Sequence, residues 1–143
     1  MKPSRRDLGR ILPAVAAAAT AAAQEKETQT LPSKAFPYGD LPVKINGLNK
    51  SRAVLKGQTH SAFDIELHMT ELAAGQAPHP PHHHVHEELV MLHQGSLEAT
   101  IRGETTVVTA GSVLYLASND EHGWRNPGPG PAQYFVIALG KDA

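Results

Sequence analysis

The sequence predicts an all-β fold, a small barrel or sandwich of short strands, and three observations lead to it. Apolar and polar residues alternate from Phe63 to Thr70, as in a strand with one buried face. Leu89–Leu92 is continuously apolar, as expected for a strand that is covered on both faces. Turns containing glycine or proline separate such segments, and no stretch after residue 23 shows sustained helical periodicity.

The remaining strands follow from the same patterns. They are expected at 97–101, 107–109, 113–116 and 134–139. Arg102-Gly103-Glu104 predicts a hairpin turn after the first of these. In the strand that begins near Phe63, Asp64, Glu66 and His68 alternate with the apolar residues, so we expect these three side chains to face solvent.

The N-terminal segment is typical of an export signal. Arg5 and Arg6 lie in Ser4–Arg10, a pattern similar to twin-arginine signals, and an alanine-rich stretch follows from Ile11 to Ala23. That stretch is shorter than the roughly 20 residues that a membrane-spanning helix needs. We therefore expect a cleavable signal at 1–23, a proline-containing linker or N-terminal arm at 24–42 and one folded domain at 43–143.

Composition narrows the class of function. A chain of 143 residues fits one domain, and the absence of cysteine excludes disulfides, thiolate metal sites and cysteine nucleophiles. Removing residues 1–23 takes away four basic residues and one acidic residue, which leaves a net charge of −4 with neutral histidines. Neither nucleic acid nor, after signal cleavage, a membrane surface is expected as a partner, because no basic stripe remains.

Histidine is concentrated in one short segment. Six of the nine histidines lie between His79 and His93, with Glu87 and Glu88 among them. Imidazole and carboxylate groups at short intervals are suitable ligands for a divalent first-row metal. Several pairs have ligand-like spacing, including His79 with His82 and His84 with His86, so spacing alone leaves the choice open.

Two motifs in this region resemble those of the cupin family. The first motif has a His-x-His pair, a glutamate four residues after the second histidine and a glycine seven residues after the glutamate. In this sequence the register selects His82, His84, Glu88 and Gly95. Gly75, which opens the stretch, lies one residue earlier than the motif expects. The second runs from a glycine to a histidine and then an asparagine, and here it selects Gly111, His122 and Asn126. The chain departs from this motif at Ala117, where proline is expected, and at Asn119, where glycine is expected. Asparagine tolerates left-handed backbone, so the turn should survive.

The resemblance implies a cupin jelly-roll β-barrel and a set of metal ligands. The implied ligands are His82, His84, Glu88 and His122, with His122 carried by a turn. The neighbouring side chains are expected to form a solvated rim, namely His79, His83, His86 and Glu87. Three imidazoles and one carboxylate favour one Fe(II) or Mn(II) ion, while zinc, nickel and copper would also bind.

Other residues have simpler expected roles. We expect Trp124 to pack in the core and Arg125 to form an exposed salt bridge. Asn126 is expected to hold the loop that carries His122 through side-chain to backbone hydrogen bonds.

These features predict an exported metal-binding protein, periplasmic or secreted. An oxygenase-type enzyme acting on a small organic molecule is the leading hypothesis, with Glu88 as a catalytic base. The alternatives are a binding module without catalysis and a metal-storage protein. The resemblance also implies a homodimer, in which the N-terminal arm and Val43–Ile45 are candidates for the contact.

Overall fold

The computed structural model describes residues 30–143. The expected signal at 1–23 and the beginning of the arm lie outside the described residues. A 3-10 helix, Tyr38–Asp40, is followed by nine strands, and no helix among residues 30–143 is long and apolar enough to cross a bilayer. The strands are β1 (Val43–Asn46), β2 (Asn49–Gln58), β3 (Asp64–Leu72), β4 (Glu87–Gln94), β5 (Ser96–Ile101), β6 (Glu104–Thr109), β7 (Val113–Leu116), β8 (His122–Arg125) and β9 (Ala132–Leu139).

The strands form two sheets that enclose one core. The larger sheet has the order β1-β2-β3-β9-β4-β7, and the smaller sheet has the order β6-β5-β8. Both contribute to the buried apolar cluster, the smaller sheet through Leu97, Ala99 and Trp124 and the larger through residues such as Val90 and Tyr134. The all-β jelly-roll prediction is confirmed.

Most of the expected strands are present, and their turns use the residues that the sequence suggested. β7 spans 113–116, the range predicted for it. Arg102 and Gly103 have φ angles of 52° and 83°, so the β5–β6 connection is a tight hairpin turn in left-handed conformation. Asn119 has a φ of 62°, which confirms that asparagine supplies the left-handed backbone where a glycine was expected.

The prediction for the two faces of β3 was wrong. Glu66 and His68 pair with Ala138 and Val136 of β9, and directly paired residues of an antiparallel sheet project from the same face. Ala138 and Val136 are buried in the core, so Glu66 and His68 lie on the inner face of the larger sheet. The polar side of the alternation therefore faces the inside of the barrel.

The apolar side of β3 lies on the outer face of the larger sheet, where the N-terminal arm covers part of it. Met69 of this face is only 5% exposed. Arg52 of β2, which pairs with Met69, stacks on the ring of Tyr38 at 4.4 Å and donates a hydrogen bond to the Leu41 carbonyl at 3.4 Å. The arm therefore packs against the sheet of its own chain.

Candidate metal centre

Backbone hydrogen bonds join the two motifs. The His82 amide donates to the His122 carbonyl at 3.0 Å, and the His122 amide donates back to the His82 carbonyl at 2.9 Å. A further bond of 2.8 Å runs from the Asn119 amide to the His84 carbonyl. His122 is the first residue of β8, so the expectation that a turn would carry it was wrong. An isolated antiparallel bridge fixes its position relative to His82.

Three of the four residues that the sequence selected, His82, His84 and His122, converge, and Glu88 lies beside two of them. The rings of His82, His84 and His122 have centroids 4.7–5.2 Å apart, and each ring offers a nitrogen within 4.8 Å of the others. The two carboxylate oxygens of Glu88 lie near different rings. Oε1 is 3.4 Å from His84 Nε2, and Oε2 is 3.8 Å from His122 Nε2.

Hydrogen bonds to the backbone determine which ring nitrogens are free to bind. His84 Nδ1 lies 2.8 Å from the His86 carbonyl, and His122 Nδ1 lies 2.8 Å from the Asp120 carbonyl. A carbonyl only accepts, so each Nδ1 carries the proton and each Nε2 keeps a lone pair. Both Nε2 atoms are buried without a hydrogen-bond partner, as is His82 Nδ1. Buried polar atoms are rarely unpaired, so these nitrogens fit a bound metal ion.

Burial also keeps two of the imidazoles neutral. It lowers the pKa of His122, against the raising effects of the Asp120 carbonyl and Glu88. Burial likewise lowers the pKa of His82, and the neighbouring histidines His79, His122 and His84 add to this effect. Neutral imidazole is the form that binds a metal, so the site does not have to lose protons from these rings at neutral pH.

His86 lies inside the cluster, and its assignment to the rim was wrong. Its side chain is 18% exposed, and its Nε2 is 3.4 Å from Glu88 Oε1. The sequence contained a signal for this position, because His86 has the same even spacing as His82, His84 and Glu88. His79, His83 and Glu87 are exposed, so the rim prediction is confirmed for them.

The orientation of His86 separates it from the other imidazoles. Its ring stacks on that of His84 with centroids 3.7 Å apart and an angle of 10° between the planes. An imidazole lone pair lies in the plane of its ring, so two stacked parallel rings cannot direct lone pairs at the same ion. His84, His86 and Glu88 are close enough to form a second triad, but this stacking favours the site made with His82 and His122.

Asn126 holds a different segment from the one expected. Its Nδ2 donates to the carbonyls of Leu72 at 2.9 Å and Gly130 at 2.8 Å, and its Oδ1 accepts from the Gly128 amide at 2.9 Å. The side chain therefore fixes the turn after β8 and ties it to the end of β3, whereas the pairing with His82 positions His122.

Trp124 and Arg125 have the roles that the sequence indicated. Trp124 belongs to the core and also lines a cavity of about 500 Å³ on the outer side of the smaller sheet, beneath the loop that contains His79. Arg125 forms two bonds with the Glu98 carboxylate, of 2.7 and 3.0 Å.

Comparison with known proteins agrees with this architecture. Residues 68–138 match a family model described as Cupin_2, cupin domain. This segment is similar to a cupin domain. The matched segment includes both motifs and all four residues of the candidate metal centre, which are His82, His84, Glu88 and His122. A search of curated proteins found no significant match.

Several solved structures share the fold at low sequence identity. A RmlC-like cupin from Shewanella frigidimarina superposes with a TM-score of 0.63 at 19% identity, covering 77% of this chain and 94% of that one. KdgF from Halomonas sp. gives 0.65 at 17% identity, covering 78% and 97%. The polyketide cyclase RemF from Streptomyces resistomycificus gives 0.62 at 17% identity, covering 76% and 80%. These likenesses establish the fold of the cupin domain alone.

Proposed function

We propose that this protein is a metal-dependent enzyme of the oxygenase type that acts on a small organic molecule. The observation that carries the proposal is that His82, His84 and His122 each have a buried nitrogen without a hydrogen-bond partner and lie together beside the Glu88 carboxylate. The backbone bonds from His84 and His122 hold these rings in the form that binds a metal before any ion arrives.

The ligand set favours Fe(II) or Mn(II). Three neutral imidazoles and one carboxylate leave one residual positive charge on a divalent ion, and four protein ligands leave two positions open on an octahedral metal. Such an ion would supply Lewis-acid and redox chemistry at those open positions.

Glu88 is the residue proposed to move protons. Its Oε1 lies between the imidazoles of His84 and His86, at 3.4 Å from a nitrogen of each, whereas Oε2 faces His122. Glu88 would hold the ion through one carboxylate oxygen, and the other oxygen, beside these rings, would be placed to accept a substrate proton.

Oxygen uptake tests the proposal. Protein purified without oxygen and analysed for its metal is exposed to air with phenolic, keto-acid and polyol candidates. We expect substrate-dependent oxygen consumption that Glu88→Gln abolishes and that Glu87→Gln, at the exposed neighbouring position, retains. Metal-loaded protein that consumes no oxygen with any candidate would favour a binding module, and several ions per chain would favour storage.

We also propose export of the folded protein to the periplasm or beyond by the twin-arginine route. The Arg5–Arg6 pair supports it, and a site filled with iron or manganese in the cytoplasm would then be carried out already loaded. Protein redirected through the general secretory route, which transports unfolded chains, should carry a different metal. The same metal by both routes would contradict this role for export.

A homodimer is the third part of the proposal. β1 is exposed along its whole length, and Ile45 is 69% exposed. This strand offers a free edge and an apolar side chain to a second copy. Light scattering should give twice the mass of the processed chain, and Ile45→Lys should shift it towards the monomer.

A further inference from the structure

A second cluster of polar side chains lies on the inner face of the larger sheet. Lys56 of β2 and His68 of β3 both contact the Glu66 carboxylate, Lys56 Nζ at 3.1 Å from Oε2 and His68 Nδ1 at 3.3 Å from Oε1. We call Lys56, Glu66 and His68 the polar wall.

Strand register places the polar wall at the same level of the barrel as the metal centre. Ala138 of β9 pairs with Glu66 on one side and with Glu88 on the other. Neighbouring strands are about 4.8 Å apart, so the Cα atoms of the two glutamates are separated by roughly 10 Å. Because the residue between them is alanine, no large side chain of the sheet stands between the polar wall and Glu88.

The neighbouring row of paired residues is apolar where it approaches the metal centre, whereas the side chains of the polar wall are partly exposed to solvent. One row deeper, His68 pairs with Val136, which pairs with Val90, and these two valines are 4% and 0% exposed. The side chains of Glu66 and His68 are 36% and 32% exposed. A ligand that pairs with Glu66 and extends towards Glu88 would therefore lie beside apolar side chains.

The charges of the polar wall disfavour an anionic ligand. Lys56 offsets Glu66, and Asp64 on the same face adds a negative charge while accepting a bond from Gln58 at 3.3 Å. Burial opposes the ionisation of Glu66, but the hydrogen bonds and charges of Lys56 and His68 outweigh it and lower its pKa. The wall thus presents donors and an ionised acceptor side by side without a net positive charge.

We infer that the polar wall binds the distal hydroxyl groups of an uncharged, hydroxyl-rich substrate whose other end reaches the metal centre. A hydroxyl group both donates and accepts, so it can pair with Lys56, Glu66 and His68 alike. A carboxylate would meet repulsion from Glu66, and an alkyl chain would remove water from these groups without replacing its hydrogen bonds. This substrate class rests on the proposed metal-dependent function.

Three six-carbon probes distinguish a hydroxyl-rich ligand from a ligand with an alkyl chain and from an anionic ligand. They are sorbitol, 1,2-hexanediol and adipate. Their dissociation constants are measured by calorimetry on the full chain loaded with Mn(II), and the metal content of the same sample is determined. We expect sorbitol to bind at least about fivefold more tightly than either of the other two. Glu66→Ala should weaken sorbitol binding about tenfold and leave 1,2-hexanediol unchanged.

Glu71→Ala is the matched control. Glu71 lies on the same strand and pairs with a lysine of β2, Lys50, at 2.8 Å, but it lies on the outer face. The inference is overturned if sorbitol shows no preference or no binding, or if Glu71→Ala weakens it as much as Glu66→Ala. A sample that holds no metal refutes the proposed function instead. In that sample the difference in sorbitol affinity between Glu66→Ala and Glu71→Ala still tests the polar wall.

Discussion

Gly95, at the end of the strand that carries Glu88, offers a test of the backbone packing around the site. Its φ is +81°, and a Cβ added there would lie 2.8 Å from the Pro131 carbonyl oxygen and 2.9 Å from the Ala132 Cα. Both atoms belong to the backbone, so neither can move aside cheaply. Gly103 has almost the same φ, +83°, but a Cβ there would meet nothing within 4 Å.

The two glycines therefore separate conformational strain from steric overlap. Gly103→Ala should lower the free energy of unfolding by about 1–2 kcal/mol, the cost of left-handed backbone. Gly95→Ala should cost that amount plus about 1–3 kcal/mol for overpacking, or about 2–5 kcal/mol in total. Urea unfolding followed by circular dichroism measures both variants. Equal losses would refute the close approach of the Gly95 turn to Pro131.

Three further predictions concern the site and its support. His86→Ala should keep the metal, whereas His84→Ala should lower metal affinity at least tenfold. Dialysis against a chelator measures the metal that each variant retains. Equal loss of metal from the two variants would contradict the argument from ring stacking. Asn126→Ala removes three hydrogen bonds and should cost about 3 kcal/mol in urea unfolding, and a cost below about 1 kcal/mol would contradict the buried network. Burial raises the pKa of Tyr134 to about 12. Because the folded state holds this proton more tightly than the unfolded state, stability should be unaffected below pH 10 and should fall by about 2–3 kcal/mol as the pH rises to 12. Tyr134→Phe should not show this loss of stability between pH 10 and 12. Identical profiles of unfolding free energy against pH for the variant and the wild type would contradict the raised pKa of Tyr134.

Strand positions were largely predictable because local patterns determine them. Alternation and turn residues gave β5, β7 and β9 directly from the sequence. β2 was missed because its ten residues carry charges and amides around a short apolar centre. β8 was missed because four residues, His122–Arg125, are too few to show a period.

The orientation of β3 could not be predicted from its pattern. The apolar side of an alternating strand normally faces the core, but here Met69 is covered on the outer face by the arm around Tyr38. Glu66 and His68 take the inner face instead. Departure from the local pattern is expected of residues at a functional site, and Glu66 and His68 belong to the proposed polar wall.

The metal ligands were predictable only in part. Spacing alone left several histidine pairs open, and the family register selected His82, His84, Glu88 and His122. No local pattern could show that His82 and His122, forty residues apart, would pair their backbones. His86 was misplaced even though its even spacing matched the ligands, because the family register does not include it.

The metal-to-chain ratio of protein purified without oxygen tests the central claim most directly. Wild-type protein and His83→Ala, which alters an exposed histidine next to two ligands, should each hold one ion per chain, and His122→Ala should hold almost none. If His122→Ala retains the wild-type ratio, or if His83→Ala loses the ion as completely, the four residues do not form the metal site.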